Sequence, residues 1–139
     1  MERKIQFQES IYTYQIDFNR HVSNIAYIQW MEIGRLKLLE AVGMPVHKIY
    51  QKGFAPVLIE TQIRYKRPLF LGDTVDIKVW LSEITRLHAW MEFSFRTPAG
   101  KLAARGRQRG VFIDLQNHRP VRLNEEQLSA FLPFVKQDT

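Results

Sequence analysis

Asp17, Asn19, His21, Ser23 and Asn24 fall within eight consecutive residues, a stretch dense in groups that do proton or nucleophile chemistry. A carboxylate is ionised at neutral pH, so it accepts a proton or attacks a carbonyl without further activation. Asn19 and His21 are suited to orient such a group. A helix beginning at Ser23 or Asn24 would aim its unpaired N–H groups and positive dipole end at a developing oxyanion. Carboxylate, orienting group and oxyanion donors are therefore close in sequence. Asp and Asn before a helix are also ordinary turn and cap formers, so residue types alone do not separate a site from a structural loop.

The elements around this loop follow from pattern. Ile5 to Ile16 carries β-branched and aromatic residues without Gly or Pro and predicts a strand. Polar turn formers break it at Asp17–Val22. From Ile25 an apolar, helix-spaced run continues through Tyr27, Ile28, Trp30, Met31, Ile33, Leu36, Leu38 and Leu39, predicting a long buried helix to about Val42, where Gly43 and Pro45 stop it. A short helix or turn covers Val46–Gln51. Alternation then predicts strands over Val57–Tyr65, Val75–Ile84, Ala89–Phe95 and Leu102–Ile113, separated by turn signals such as Leu71-Gly72-Asp73 and Pro98-Ala99-Gly100. Asn124 caps a last short helix from Glu125 to about Leu132, ahead of a polar tail. The expected fold class is α+β: one long helix on a five-stranded antiparallel sheet, in one domain over residues 1–139.

Bulk properties narrow the classes. With 45% hydrophobic and 24% charged residues the chain is ordinary for a globular protein. No apolar run approaches the roughly 20 residues that span a bilayer, and no signal core follows the N-terminal charges; the expectation is a cytoplasmic protein. The absence of cysteine excludes disulfides and thiolate nucleophiles. His21, His47, His88 and His118 show no metal-ligand spacing, and there is no phosphate loop, dinucleotide fingerprint or serine elbow. No metal or cofactor is expected. A net charge of +6 favours anionic partners.

The segment Asp17-Phe18-Asn19-Arg20-His21-Val22-Ser23-Asn24-Ile25-Ala26-Tyr27-Ile28-Gln29-Trp30 resembles the D-x-x-G-H-V-N-N-x-x-Y-x-x-W signature of the 4-hydroxybenzoyl-CoA thioesterase-like acyl-CoA hydrolases. Its Asp17-x-Asn19-x-His21-Val22-x-Asn24 core is similar to plant acyl-ACP thioesterases. Tyr65-Lys66-Arg67-Pro68 and Leu71-Gly72-Asp73 sit where the family has Y-x-x-P and a G-D turn. Two departures stand out: Arg20 replaces the glycine before the histidine, and Ser23 replaces the first asparagine of the pair.

The resemblance implies a hot-dog fold and hydrolysis of an acyl-CoA thioester to free acid and CoA. It makes Asp17 the nucleophile or general base, with Asn19, His21 and Asn24 in support and helix-start amides as oxyanion donors. It also implies a homodimer or homotetramer with sites between subunits. Substrate contacts are expected from Arg20, Val22, Tyr27 and Glu60, and from Arg105 and Arg107. Arg105, Arg107 and Arg109 recur at period two and project from one strand face, suited to phosphate. Ala104, Gly106, Gln108 and Gly110 face the other way, mostly small enough for a helix to approach. Glu32 and Arg35 read as a surface pair. The alternatives are acyl carrier protein as the carrier, a dehydratase of the same fold, or a non-catalytic module binding acyl-CoA or nucleic acid. No nucleic-acid motif accompanies the arginines.

Overall fold

The fold is built on helix α1 (Asn24–Ala41), whose inner face carries Ala26, Tyr27, Trp30, Met31, Gly34, Leu38 and Leu39, all buried. The computed structural model describes residues 3–136; the polar tail at 137–139 lies outside them. Ser23 caps α1 by accepting the Ile25 N–H at 3.2 Å, and Gly43 takes φ 78° after the helix ends. Helix α2 (Val46–Gln51) follows as expected.

Strands β1 (Ile5–Ser10), β2 (Phe54–Tyr65), β3 (Thr74–Ile84), β4 (Ala89–Arg96) and β5 (Leu102–Asp114) make one sheet in the order β1-β3-β4-β5-β2. Every pairing is antiparallel. Helix α3 (Glu125–Phe131) is capped by Asn124. It stops one residue early because Leu132-Pro133-Phe134 tighten into a 3-10 turn.

The helix lies closely on the sheet. A methyl group on Gly34 would come within 2.7 Å of Val79 Cγ2, and one on Gly106 within 2.8 Å of Met31 Cε. Neither glycine is needed for a turn; both make room for the helix–sheet approach. Around them Tyr27, Trp30 and Phe95 meet ring to ring, with centroids 5.2 to 6.2 Å apart.

The structure departs from the sequence reading at five places. The first strand ends at Ser10, not Ile16, because its partner β3 begins at Thr74 and offers no further ladder; a 3-10 turn over Thr13–Gln15 follows. The turn signal at Leu71-Gly72-Asp73 does not join neighbouring strands: β2 and β3 lie at different positions in the sheet and are joined by a crossover. β2 carries a bulge between Leu58 and Glu60, so its alternation changes phase at Ile59. The apolar residues of α1 are not all inside: Ile25, Ile28 and Leu36 are exposed. Finally, Arg35 is no surface residue, since its Nη1 donates to the buried Gln108 Oε1 at 2.7 Å while Nη2 reaches Glu32 at 3.3 Å.

Burial in the aromatic cluster pushes the Tyr27 hydroxyl up to about 12, with Tyr65 adding to the effect. Folding thus favours the neutral phenol. Its contribution is complete below the ordinary value near 10 and is lost as pH rises toward 12. Two units correspond to at most about 3 kcal/mol. Urea midpoints measured from pH 9 to 12 should fall steeply, and Tyr27→Phe should flatten that fall; an unchanged slope would contradict the burial of this hydroxyl.

Candidate active site

The loop from Ile16 to Val22 closes on itself as a bridge between those two residues. Asp17 fastens it: its N–H donates to His21 O at 2.9 Å, and its carbonyl accepts Arg20 N–H at 3.0 Å. Its carboxylate Oδ1 accepts the N–H groups of Asn19 at 2.8 Å and His21 at 3.3 Å. One carboxylate oxygen is thereby fixed by backbone, and Oδ2 accepts no hydrogen bond from the described residues. The side chain is half-buried. This gives an oriented carboxylate with one oxygen free for chemistry.

The loop is held to the rest of the molecule at three points. Ser23 N–H donates to Gln15 O at 2.7 Å, and Val22 N–H donates to Leu69 O at 2.9 Å. The His21 ring stands edge-on to Phe70 with centroids 5.3 Å apart. Leu69 and Phe70 belong to the β2–β3 crossover, so the unexpected connection is what backs the loop. His21 contacts Asp17 through its backbone and directs its ring to Phe70.

At the helix start, Ser23 already occupies the Ile25 amide. Asn24, the first residue of α1, keeps an exposed side chain, and its N–H has no partner among the described residues. The oxyanion donors expected from the helix start therefore narrow to the Asn24 amide and what surrounds it. Asn19 is exposed, and Val22 is buried beneath the loop.

Arg20 sits at φ 65°. This is the left-handed region, which costs a side-chain-bearing residue about 1–2 kcal/mol and glycine almost nothing. Of the two departures from the signature, the one at Arg20 thus falls where the backbone favours the signature's glycine. Gly loses about 0.5–1 kcal/mol through its more flexible unfolded chain, so Arg20→Gly should be neutral to about 1 kcal/mol stabilising. Thermal melting tests this, and a drop in Tm would show that the Arg20 side chain makes contacts worth more than the strain.

Five residues named from sequence share this loop or border it: Asp17, Asn19, Arg20, His21 and Asn24, with Val22 packed below. Tyr27 belongs to the core, 2% exposed. Glu60, Arg105 and Arg107 lie elsewhere. Gln108 and Gly106 face α1, so Arg105, Arg107 and Arg109 occupy the opposite sheet face, and Glu60 is the register partner of Arg109. There the arginines are stacked on tryptophans: Arg107 lies 4.0 Å above Trp90 and Arg105 5.4 Å from Trp80. Arg107 also pairs with Glu92 at 3.2 Å. Within one chain these residues are not brought together with Asp17.

Sequence reading missed the polar bridge Arg35–Gln108–Thr61, in which Gln108 Nε2 donates to Thr61 Oγ1 at 3.2 Å. The signal was a lone amide among small residues on the helix-facing side of β5. Burial lowers the Arg35 guanidinium from its ordinary value, and Glu32 partly offsets this.

A long helix on a five-stranded antiparallel sheet, with an acid-bearing loop at the helix start, defines the hot-dog class. The profile of the thioesterase-like superfamily matches residues 11–131, and the chain belongs to that superfamily. It is 27% identical over 137 residues to the long-chain acyl-CoA thioesterase FadM of Escherichia coli, covering 95% of this chain and 100% of that one. It is 26% identical over 126 residues to the chloroplastic acyl-acyl carrier protein thioesterase ATL3 of Arabidopsis thaliana, covering 90% and 66% respectively. Among solved structures, the Staphylococcus aureus protein SAV2348, determined in complex with CoA, has the same fold. It superposes with a TM-score of 0.90 at 14% identity, over 100% of this chain and 90% of that one.

Proposed function

We propose that this chain is a cytoplasmic thioesterase that hydrolyses acyl-CoA to free acid and CoA. The observation that carries the reading is the Asp17 carboxylate, fixed through Oδ1 and free at Oδ2, beside a helix start whose Asn24 amide is uncommitted. With Asp17 as general base, Oδ2 takes a proton from water as the oxygen attacks the thioester carbonyl. The oxyanion is held at the Asn24 N–H, and collapse expels CoA thiolate, which picks up a proton. With Asp17 as nucleophile, Oδ2 attacks directly and water then opens the mixed anhydride. Thiolate is a good leaving group, so either route needs only modest help from the protein.

Arg20, exposed on the loop, is suited to a substrate phosphate. The edge strands β1 and β2 favour assembly, because β2 presents exposed Val57, Leu58 and Ile59 along an unpaired edge. A homodimer or homotetramer is proposed on that basis, and a monomeric mass in light scattering would overturn it. Thiol release from butanoyl-, benzoyl- and hexadecanoyl-CoA tests the activity; no release from any of them would refute it. Acyl carrier protein is a second carrier to test, favoured by the resemblance to ATL3 and the charge of +6.

A further inference from the structure

A cavity of about 480 Å³ opens beneath the C-terminal half of α1, between that helix, α2 and the far end of the sheet. Its wall is mainly aliphatic, with Leu39, Leu81, Ile84, Met91 and Val111 among the residues that form it. Engineered apolar cavities of about 150 Å³ stay dry and take benzene, so this space holds roughly three times that. Glu32 and Arg35 at its edge compensate each other at 3.3 Å, and Arg35 is also tied to Gln108. The cavity therefore presents no free charge from that pair.

The interior route from Asp17 to this space is filled. Tyr27, Trp30 and Met31 are 2%, 1% and 0% exposed and pack against Phe95 and Gly106. Outside, Ile25, Ile28 and Leu36 leave an apolar stripe exposed along α1, running from the helix start to the cavity edge at Glu32 and Leu36. Leu58 of β2 is also exposed and also lines the cavity. At 1.5 Å per residue, Asn24 to Glu32 is about 12 Å and Asn24 to Leu36 about 18 Å. An extended chain advances about 1.3 Å per carbon given C–C bonds near 1.5 Å, so roughly 9 to 14 carbons separate the carbonyl from the cavity.

We propose that the cavity is the receptacle for the distal end of a long acyl chain, which reaches it along the Ile25–Leu36 side of α1. This rests on the thioesterase reading and names its substrate class. Chains of four to six carbons fall short of the cavity; those of fourteen to eighteen enter it.

Ala89 lines the cavity from β4, away from the loop and helix start. Ala89→Trp should lower kcat/KM for hexadecanoyl-CoA by at least about tenfold, the scale of discrimination that pocket volume supplies, and change butanoyl-CoA hydrolysis by less than about twofold. Retained butanoyl-CoA turnover reports an intact fold; the milder Ala89→Leu should give a smaller loss with the same chain-length dependence. Binding of hexadecanoate, followed by calorimetry without turnover, should be weakened in parallel. If wild type hydrolyses acyl-CoA and Ala89→Trp leaves the hexadecanoyl-to-butanoyl ratio unchanged, the cavity assignment fails and the activity stands. If wild type hydrolyses nothing yet binds hexadecanoate, and Ala89→Trp abolishes that binding, the activity fails and the cavity stands. An absence of hexadecanoate binding by wild type overturns the proposal.

Discussion

Asp17→Asn is expected to fold normally and to lower kcat for acyl-CoA hydrolysis by about 10²–10⁴, the range for loss of a positioned acid–base group. The isosteric choice matters. Asparagine keeps an Oδ1 that accepts the Asn19 and His21 N–H groups, so the loop retains both bonds. Asp17→Ala would break them together, confounding chemistry with a loop that has lost two bonds of about 0.5–1.5 kcal/mol each. What asparagine removes is the charge and basicity at Oδ2. Melting curves of the two proteins should coincide while thiol release collapses, and near-normal kcat would remove Asp17 from the mechanism. A single turnover of wild type in ¹⁸O-water tests for the nucleophile route: label found in the Asp17 carboxylate indicates an anhydride that water opens at the Asp17 carbonyl. Label in the released acid arises from the base route and equally from water opening the anhydride at the acyl carbonyl.

Trp30→Ala carries the largest stability effect. The indole is 1% exposed and lies against Tyr27 and Phe95, with ring centroids 5.3 and 6.2 Å away. Truncating a buried aromatic of this size costs about 3–5 kcal/mol, since its transfer free energy is lost and a void remains. Against a typical total of about 5–15 kcal/mol this is a large share. For a chain of this length Tm should drop by roughly 10–15 °C. A drop of only a degree or two in a calorimetric scan would mean that the helix–sheet interface closes over the gap.

Much of this fold was readable because its elements carry strong periods. Trp30, Met31, Leu38 and Leu39 recur at helical spacing, and Val75, Ile77, Val79 and Leu81 at strand spacing, so α1 and β3 were placed almost to the residue. What escaped is what period cannot encode. The crossover that puts β3 beside β1 is a tertiary choice, and so is the bulge at Ile59, which reverses inside and outside between Leu58 and Glu60 with no break in composition at that point. Arg35 was misread for the same reason: helix spacing shows its neighbour Glu32 but not Gln108, 73 positions away.

The candidate site divides along a similar line. Asp17, Asn19, Arg20 and His21 were legible together because their geometry is local, a few bonds within one loop. Glu60, Arg105 and Arg107 are the expected substrate contacts that lie apart from it. The period-two reading of the arginines as facing opposite to Gly106 and Gln108 holds, and with Glu60 beside Arg109 it sets all three on the sheet face away from α1. The tryptophans beneath those arginines also went unread. Trp80 shares its strand face with the polar Asp76 and Lys78, as a solvent-facing position would, yet it is 7% exposed, roofed by Arg105 and Lys136.

The order β1-β3-β4-β5-β2 also sets a timetable for the nascent chain. β2 leaves the ribosome before β3 and β4 but pairs with β5, so its ladder joins residues about 40 to 60 positions apart. Contacts that close such long loops form late and slow the search. The β3-β4-β5 meander assembles from neighbours as it emerges, while β2 and the apolar face of α1 wait for their seats. Until then α1 and the β2 edge are what a chaperone would meet first.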